Sequence, residues 1–299
     1  NSAFEGFKAG EYTFRNEASS KIWATAYDFP AINEGWVNKT TVKDGTLASG
    51  QSFVFNLRRE KFQDIRVRKA IGLMFNFEWS NKTLFFGLYD RVTSFWENSL
   101  MKADGEPDRP ELKILLPLKE YFPEKVFSKP AFIPAKSMPN RVDRKNRRRA
   151  EKLIKEAGWK LKNGFLENEK GQRLEVEILN YSPAFDRIIN PFIENLKLLG
   201  VDAKHTRIDS TQYTERVRSF DWDIITSTYV NSMTPGLDLV QRFSSETADV
   251  PSRNLVGLKN IGIDEIVKLA VKAETRKELN TVIRALDRSL RAMHLWIPQ

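Results

Sequence analysis

Residues 173–229 read RLEVEILNYSPAFDRIINPFIENLKLLGVDAKHTRIDSTQYTERVRSFDWDIITSTY. RLEVEILNY has the composition of a strand. Pro183 to Leu199 has helical spacing and is stopped by Gly200, and VDAKHTRI is a second strand. Ser210 to Ser219 is a second helix and DWDIITSTY a third strand. Strands alternating with helices of these lengths predict an α/β layer sandwich with at least partly parallel pairing.

The flanks extend the pattern. Upstream, QSFVFNLRR alternates as a strand, with Phe53, Phe55 and Leu57 on one face. Asp64 can then cap a helix running through DIRVRKAIGLMFNFEW, whose stripe of Ile65, Val67, Ile71, Met74 and Phe75 is core. Arg66, Arg68 and Lys69 crowd its first turn, where the helix dipole disfavours cations by roughly 0.3 to 1 kcal/mol each. Arg66 and Arg68 are expected to reach carboxylates on neighbouring segments, as scaffold.

KIWATAYDF is a short helix before Pro30, and the span from Asp104 to Pro139 carries seven prolines around one helix near Glu111 to Tyr121. Arg144 to Ala157 is a cationic helix closed by Gly158. Ile263 to Ala273 and Arg276 to Met293 are the last two helices. The opening EGFKAGEYTF looks like a helix end followed by a Gly turn, and a start in mid-domain is expected.

Composition narrows the chemistry. The 299 residues are 41% hydrophobic, enough for a sizeable core, and contain no cysteine, which removes disulfides, thiolate catalysis and Cys-ligated metals. His205 and His294 are the two histidines, too few for a His-rich metal site. No run reaches the roughly 18 apolar residues of a membrane span, and no signal-peptide pattern opens the chain. Neither G-x-G-x-x-G nor the Walker pattern occurs. No cofactor and no metal are expected. The net charge of +9 permits nucleic acid, anionic lipid or an acidic ligand, and selects none.

RVDRKNRRRAEK holds seven Lys or Arg in twelve residues. A nucleic-acid reading would set these cations on phosphates. Ala150, Leu153, Ile154 and Ala157 keep an apolar stripe on the same helix, and no aromatic is interleaved for base stacking, which favours a solvated face. The pairs Asp221 with Asp223 and Glu175 with Glu177 are spaced to share a strand face, but no base or metal set accompanies them.

Ligand contact is expected at the carboxyl ends of the central strands, where open α/β sheets leave a crevice. The first offers Asn180, Tyr181 and Ser182; the third offers Tyr229, Asn231, Ser232 and Thr234. Hydroxyls, an amide and rings fit hydrogen bonding to a polar ligand, although Asn, Ser and Pro235-Gly236 also make an ordinary turn. Among the aromatics from Phe75 to Trp96, Phe95 and Trp96, beside Ser94 in a loop, are the ones read as ligand contacts.

QSFVFNLRREKFQDIRVRKAIGLMFNFEW and, far downstream, AEKLIKEAGW together resemble the family 5 extracellular solute-binding proteins of ABC importers. NKTLFFGLYDRVTSFWENS, SMTPG, ADVPSRNLVGLKN and IRALDRSLRAMHLWIP are similar to its oligopeptide and microcin C branch, the YejA type. The resemblance covers nearly the whole chain and implies a periplasmic binding protein-like fold of type II.

By that likeness residues 1–55 are a remnant of lobe I with the hinge strand, 56–292 are lobe II, and 293–299 start the return crossover. It also implies a non-catalytic periplasmic monomer that captures a peptide or modified peptide and delivers it to an inner-membrane ABC permease. Oligopeptide-binding relatives place an Asp after the strand matching DWDIITS, whereas TYVNSMTPG has no acid here. A modified, microcin C-like or cell-wall peptide is therefore expected in place of a free amino terminus. The alternative is a basic intracellular α/β protein on nucleic acid.

Overall fold

A computed structural model describes residues 2–299. The strands are β1 (Gly50–Phe55), β2 (Lys160–Lys162), β3 (Phe165–Glu167), β4 (Glu175–Asn180), β5 (Asp202–Arg207), β6 (Ile224–Tyr229) and β7 (Trp296–Pro298). Helices of nine residues or more are α1 (Ile65–Met74), α2 (Arg144–Glu156), α3 (Asp186–Leu199), α4 (Ser210–Arg218), α5 (Ile261–Lys272) and α6 (Arg276–Ala292).

Five strands form one sheet in the order β5-β4-β6-β1-β7. β4 runs parallel to β5 and β6, with Leu179 opposite Ile225, whereas β1 is antiparallel to β6 and β7. The mixed pairing matches the expected layer sandwich. Alternation along each strand divides the core. Phe53, Phe55, Ile178 and Ile224 face one layer with α1, α2 and α3, while Val54, Leu179 and Ile225 face the other with α5 and α6. A third, small cluster of Phe4, Phe7 and Phe29 lies near the start of the described chain, joined by Tyr12 and Tyr27.

Gly200 ends α3 with φ at 93°, and a Cβ there would come within 2.6 Å of Leu161 on β2. The left-handed backbone favours glycine, and a Cβ would also push aside the exposed Leu161 side chain of the β2–β3 hairpin. That hairpin turns on Asn163-Gly164, both at positive φ. It is absent from the strand assignment made from the sequence.

The cations of α1 find two different answers. Asp64 caps the helix by accepting from the Arg66 N–H at 2.7 Å, and the Arg66 guanidinium folds back onto the same carboxylate at 2.6 Å. Neither arginine reaches the expected carboxylate on a neighbouring segment: Arg66 pairs with its own cap and donates to Glu156 O at 2.6 Å, and the partners of Arg68 are carbonyls. Arg68 is buried and donates to Met293 O at 2.6 Å, His294 O at 3.1 Å and Gln63 O at 3.0 Å. Met293 and His294 follow α6, so Arg68 places a positive charge where that helix dipole is negative.

Candidate functional site

The register of β4 and β6 brings Asn180 and Tyr229 to the same end of neighbouring parallel strands. β1 begins there, with Gly50 opposite Tyr229, and β7 finishes there, where Gln51 Nε2 donates to Gln299 Oε1 at 2.8 Å. Strand tips therefore collect both groups read from the sequence.

The tips differ in what they expose. Tyr181 is 49% exposed and packs on Tyr213 with ring centroids 4.9 Å apart, while the Tyr213 hydroxyl donates to Thr226 O at 3.3 Å on β6. Asn180 is buried, and its amide clips the next turn, donating to Ser182 O at 2.7 Å and accepting from Ser182 N at 3.0 Å. It shapes the tip and presents nothing to solvent.

At the second tip, Tyr229 is core. Its ring meets Phe95 at 5.1 Å and Trp296 at 5.4 Å, and burial pushes its phenol above the usual tyrosine range. Asn231 Nδ2 donates to Phe95 O, and Asn231 Oδ1 is buried without a partner among the described residues. Ser232 Oγ accepts from Thr234 N at 3.0 Å, and Thr234 is exposed. Arg242 Nη2 donates to Val230 O at 2.7 Å and steadies the loop. Val230 and Met233 stand exposed beside it. The surface so formed is apolar and hydroxyl-bearing, with the Asn231 amide turned inward beneath it.

Ser94, Phe95 and Trp96 are a correction. All three are buried: Phe95 stacks on Trp296 at 4.0 Å, its N–H donates to Asp287 at 2.9 Å, and Ser94 Oγ accepts from Trp96 N at 2.9 Å. Loop-like composition hid this, because the acceptor that draws the segment inward lies on α6. Tyr229 and Asn180 are likewise packed within the fold. Tyr181, Ser182, Asn231, Ser232 and Thr234 remain at least partly accessible.

Three of the four carboxylates that spacing singled out, Asp221, Asp223 and Glu177, are held in ion pairs. Asp221 and Asp223 both precede β6 instead of lying in it; Arg59 reaches them at 2.9 and 3.5 Å, and Lys61 binds Asp223 at 2.7 Å. Arg216 joins Glu177 at 2.6 Å and Asp221 at 3.1 Å. Burial alone would push Glu177 up, but the hydrogen bonds of Arg216 and Thr206 outweigh it and hold the carboxyl below its ordinary value. Glu177 and Asp221, whose carboxyls these cations hold below their ordinary values, are poor proton carriers near neutral pH. On α2, Ala150 and Ile154 are buried while Arg144, Lys145, Arg148 and Arg149 are exposed, the arrangement of a solvated face.

Sequence comparison places these features among known proteins. Residues 1–250 match the family described as bacterial extracellular solute-binding proteins, family 5 Middle. The probable peptide-binding protein YejA of Agrobacterium fabrum is 41% identical over 300 residues, covering 99% of this chain and 49% of that protein. The peptidoglycan-binding protein YepA of the same organism is 31% identical over 304 residues, with 99% and 49% covered. The chain thus spans about half the length of the curated relatives it matches. Among solved structures, the oligopeptide-binding protein AppA of Bacillus subtilis, in complex with a nonapeptide, superposes with a TM-score of 0.67 at 20% identity, covering 100% of this chain and 52% of that one.

Proposed function

The chain belongs to the bacterial extracellular solute-binding proteins of family 5, and on that premise we propose that it forms one wall of a cleft that captures a peptide or modified peptide outside the cytoplasm, in the periplasm, for an ABC permease. The observation that carries this reading is the strand-tip surface, where Tyr181, Ser232 and Thr234 are accessible just beyond the ends of adjacent parallel strands. Residues 1–55 belong to a first lobe and the hinge, 56–292 to the second lobe, and 293–299 to the returning crossover. Capture is by closure: ligand favours the closed form and shifts the population toward it.

The protein is non-catalytic in this reading, supported by the ion pairs that occupy Asp221, Asp223 and Glu177. The loop from Val230 to Gly236 carries no acid, so the ligand is a peptide whose amino end is blocked or conjugated, a class that includes cell-wall peptides. The relatives named for peptide and peptidoglycan binding support that class. Mass spectrometry of ligand retained by the full-length protein through purification tests it. A peptide-like mass is expected; recovery of a sugar or a nucleotide, or hydrolysis of the retained peptide on incubation, would end the proposal.

A further inference from the structure

Along β7 runs a groove of about 740 Å³, within the usual range of ligand sites. β7 pairs with β1 on one side only. Phe55 N–H donates to Leu295 O at 3.2 Å and Gln299 N–H to Gln51 O at 2.9 Å. Antiparallel ladders alternate, so Trp296 and Pro298 turn their main-chain groups away from β1. Pro298 O accepts from Arg91 Nε at 2.9 Å. The N–H and C=O of Trp296 meet no partner among the described residues, and Trp296, Ile297 and Pro298 line the groove.

The walls carry mostly positive charge. Arg68 and Arg91 are occupied by carbonyls, and Arg288 is paired with Glu111 at 3.4 Å. Lys69, Lys125 and Lys129 also line the groove, and no carboxylate reaches them among the described residues. Burial, then Lys125 and Arg68, lower the Lys69 ammonium, a sign that these cations crowd one another. Glu156 is the one carboxylate of the lining, 3.8 Å from Lys152. An occupant with negative charge relieves that repulsion.

We propose that this groove is a docking site for an extended acidic peptide segment, which adds to the free edge of β7 at Trp296 and sets its carboxylates against Lys69, Lys125 and Lys129. An edge that offers both a donor and an acceptor is satisfied by another main chain. Inorganic anions and lipid headgroups cannot donate to the Trp296 carbonyl through an amide while filling the apolar wall of Val126, Phe132 and Ile133. The site is separate from the strand tips and does not rest on the reading given for them.

The test uses the full-length protein, with Trp amides labelled by ¹⁵N, and a capped five-residue peptide, acetyl-Glu-Val-Glu-Val-Glu-amide. Binding is expected at low salt, with slowed exchange of the Trp296 amide, and about tenfold weaker for the Gln-for-Glu peptide or for the Lys69→Gln/Lys125→Gln protein. Ser232→Ala and Thr234→Ala leave it unchanged. Because the peptide swap is made on unaltered protein, misfolding of the variant cannot mimic the result. Equal affinity for the neutral peptide overturns the proposal. So does a Trp296 amide already protected in the free protein, which would mean that the protein's own chain fills the edge. Displacement by inorganic phosphate or phosphatidylglycerol vesicles, without binding of the acidic peptide, does the same.

Discussion

Asp287 and Arg291, one turn apart on α6, are bound to each other at 2.9 Å with neither side chain exposed. The same carboxylate accepts from Phe95 N at 2.9 Å and Ala103 N at 3.0 Å, while Arg291 donates to Ala103 O at 2.7 Å and Phe132 O at 2.6 Å. The pair thus fastens two loops to the helix. Asp287→Ala should cost about 3 to 5 kcal/mol, since it leaves a buried guanidinium uncompensated. Replacing both, as Asp287→Leu/Arg291→Met, should still cost about 2 kcal/mol or more, because the main-chain groups of Phe95, Ala103 and Phe132 lose their partners. Urea unfolding measures both, and a double variant as stable as the parent would contradict the clamp.

Arg68 and Arg66 make an internal comparison. Arg68→Met strips the carbonyls beyond α6 of their donor in a buried setting and should lower stability by about 2 kcal/mol. Arg66→Ala removes an exposed pair and should change it by no more than about 0.5 kcal/mol. If the two variants unfold at the same urea concentration, Arg68 has no structural role.

His294 gives acid sensitivity a definite direction. Burial first, then the charges of Lys69, Arg68 and Lys125, hold its imidazole at a pKa of about 3, below the ordinary 6.5. Between those values the unfolded chain binds a proton that the folded chain refuses. Its contribution is therefore complete above about pH 6.5 and is lost as pH falls toward 3. By about pH 5 the loss approaches about 2 kcal/mol, at about 1.4 kcal/mol per unit. The residue has φ at 51°, so His294→Asn keeps a left-handed backbone while removing the titration. Between pH 7 and pH 5, folding stability of that variant should decline about 2 kcal/mol less than the parent's; parallel curves would remove His294 as the cause.

At the strand tips the two tyrosines should behave oppositely. Tyr181→Ala removes a half-exposed ring and should weaken the retained ligand about tenfold. Tyr229→Phe alters a hydroxyl on a core ring and should leave affinity within about twofold. Titration calorimetry with the recovered ligand separates them, and the reverse ranking would move the binding surface elsewhere.

The order of strands and helices from Arg173 to Tyr229 was legible because Gly200 and the apolar spacing punctuate it locally. The β2–β3 hairpin carries a local signal as well, Asn163-Gly164 between alternating residues, which is a strong hairpin pattern. Burial of Phe95 and Trp96 had no local signal, since Asp287 lies 192 residues from Phe95. For Arg68 the scaffold role was legible but the partner was not, because main-chain carbonyls that accept from a buried guanidinium carry no residue signature. The groove along β7 draws on residues near 69, 91, 125, 149 and 296, five segments that only the folded chain unites.

One feature of the sheet bears on how the protein is made. β1, an early strand, lies between β6 and β7, and Gln51 meets Gln299 across 248 residues. Contacts so distant in sequence are slow to form, since the intervening loop must close first. A ribosome that has released everything up to α6 has still not supplied the last strand of the ladder. The nascent polypeptide consequently stays threadable, and open to chaperones, until almost all of this region has been synthesised.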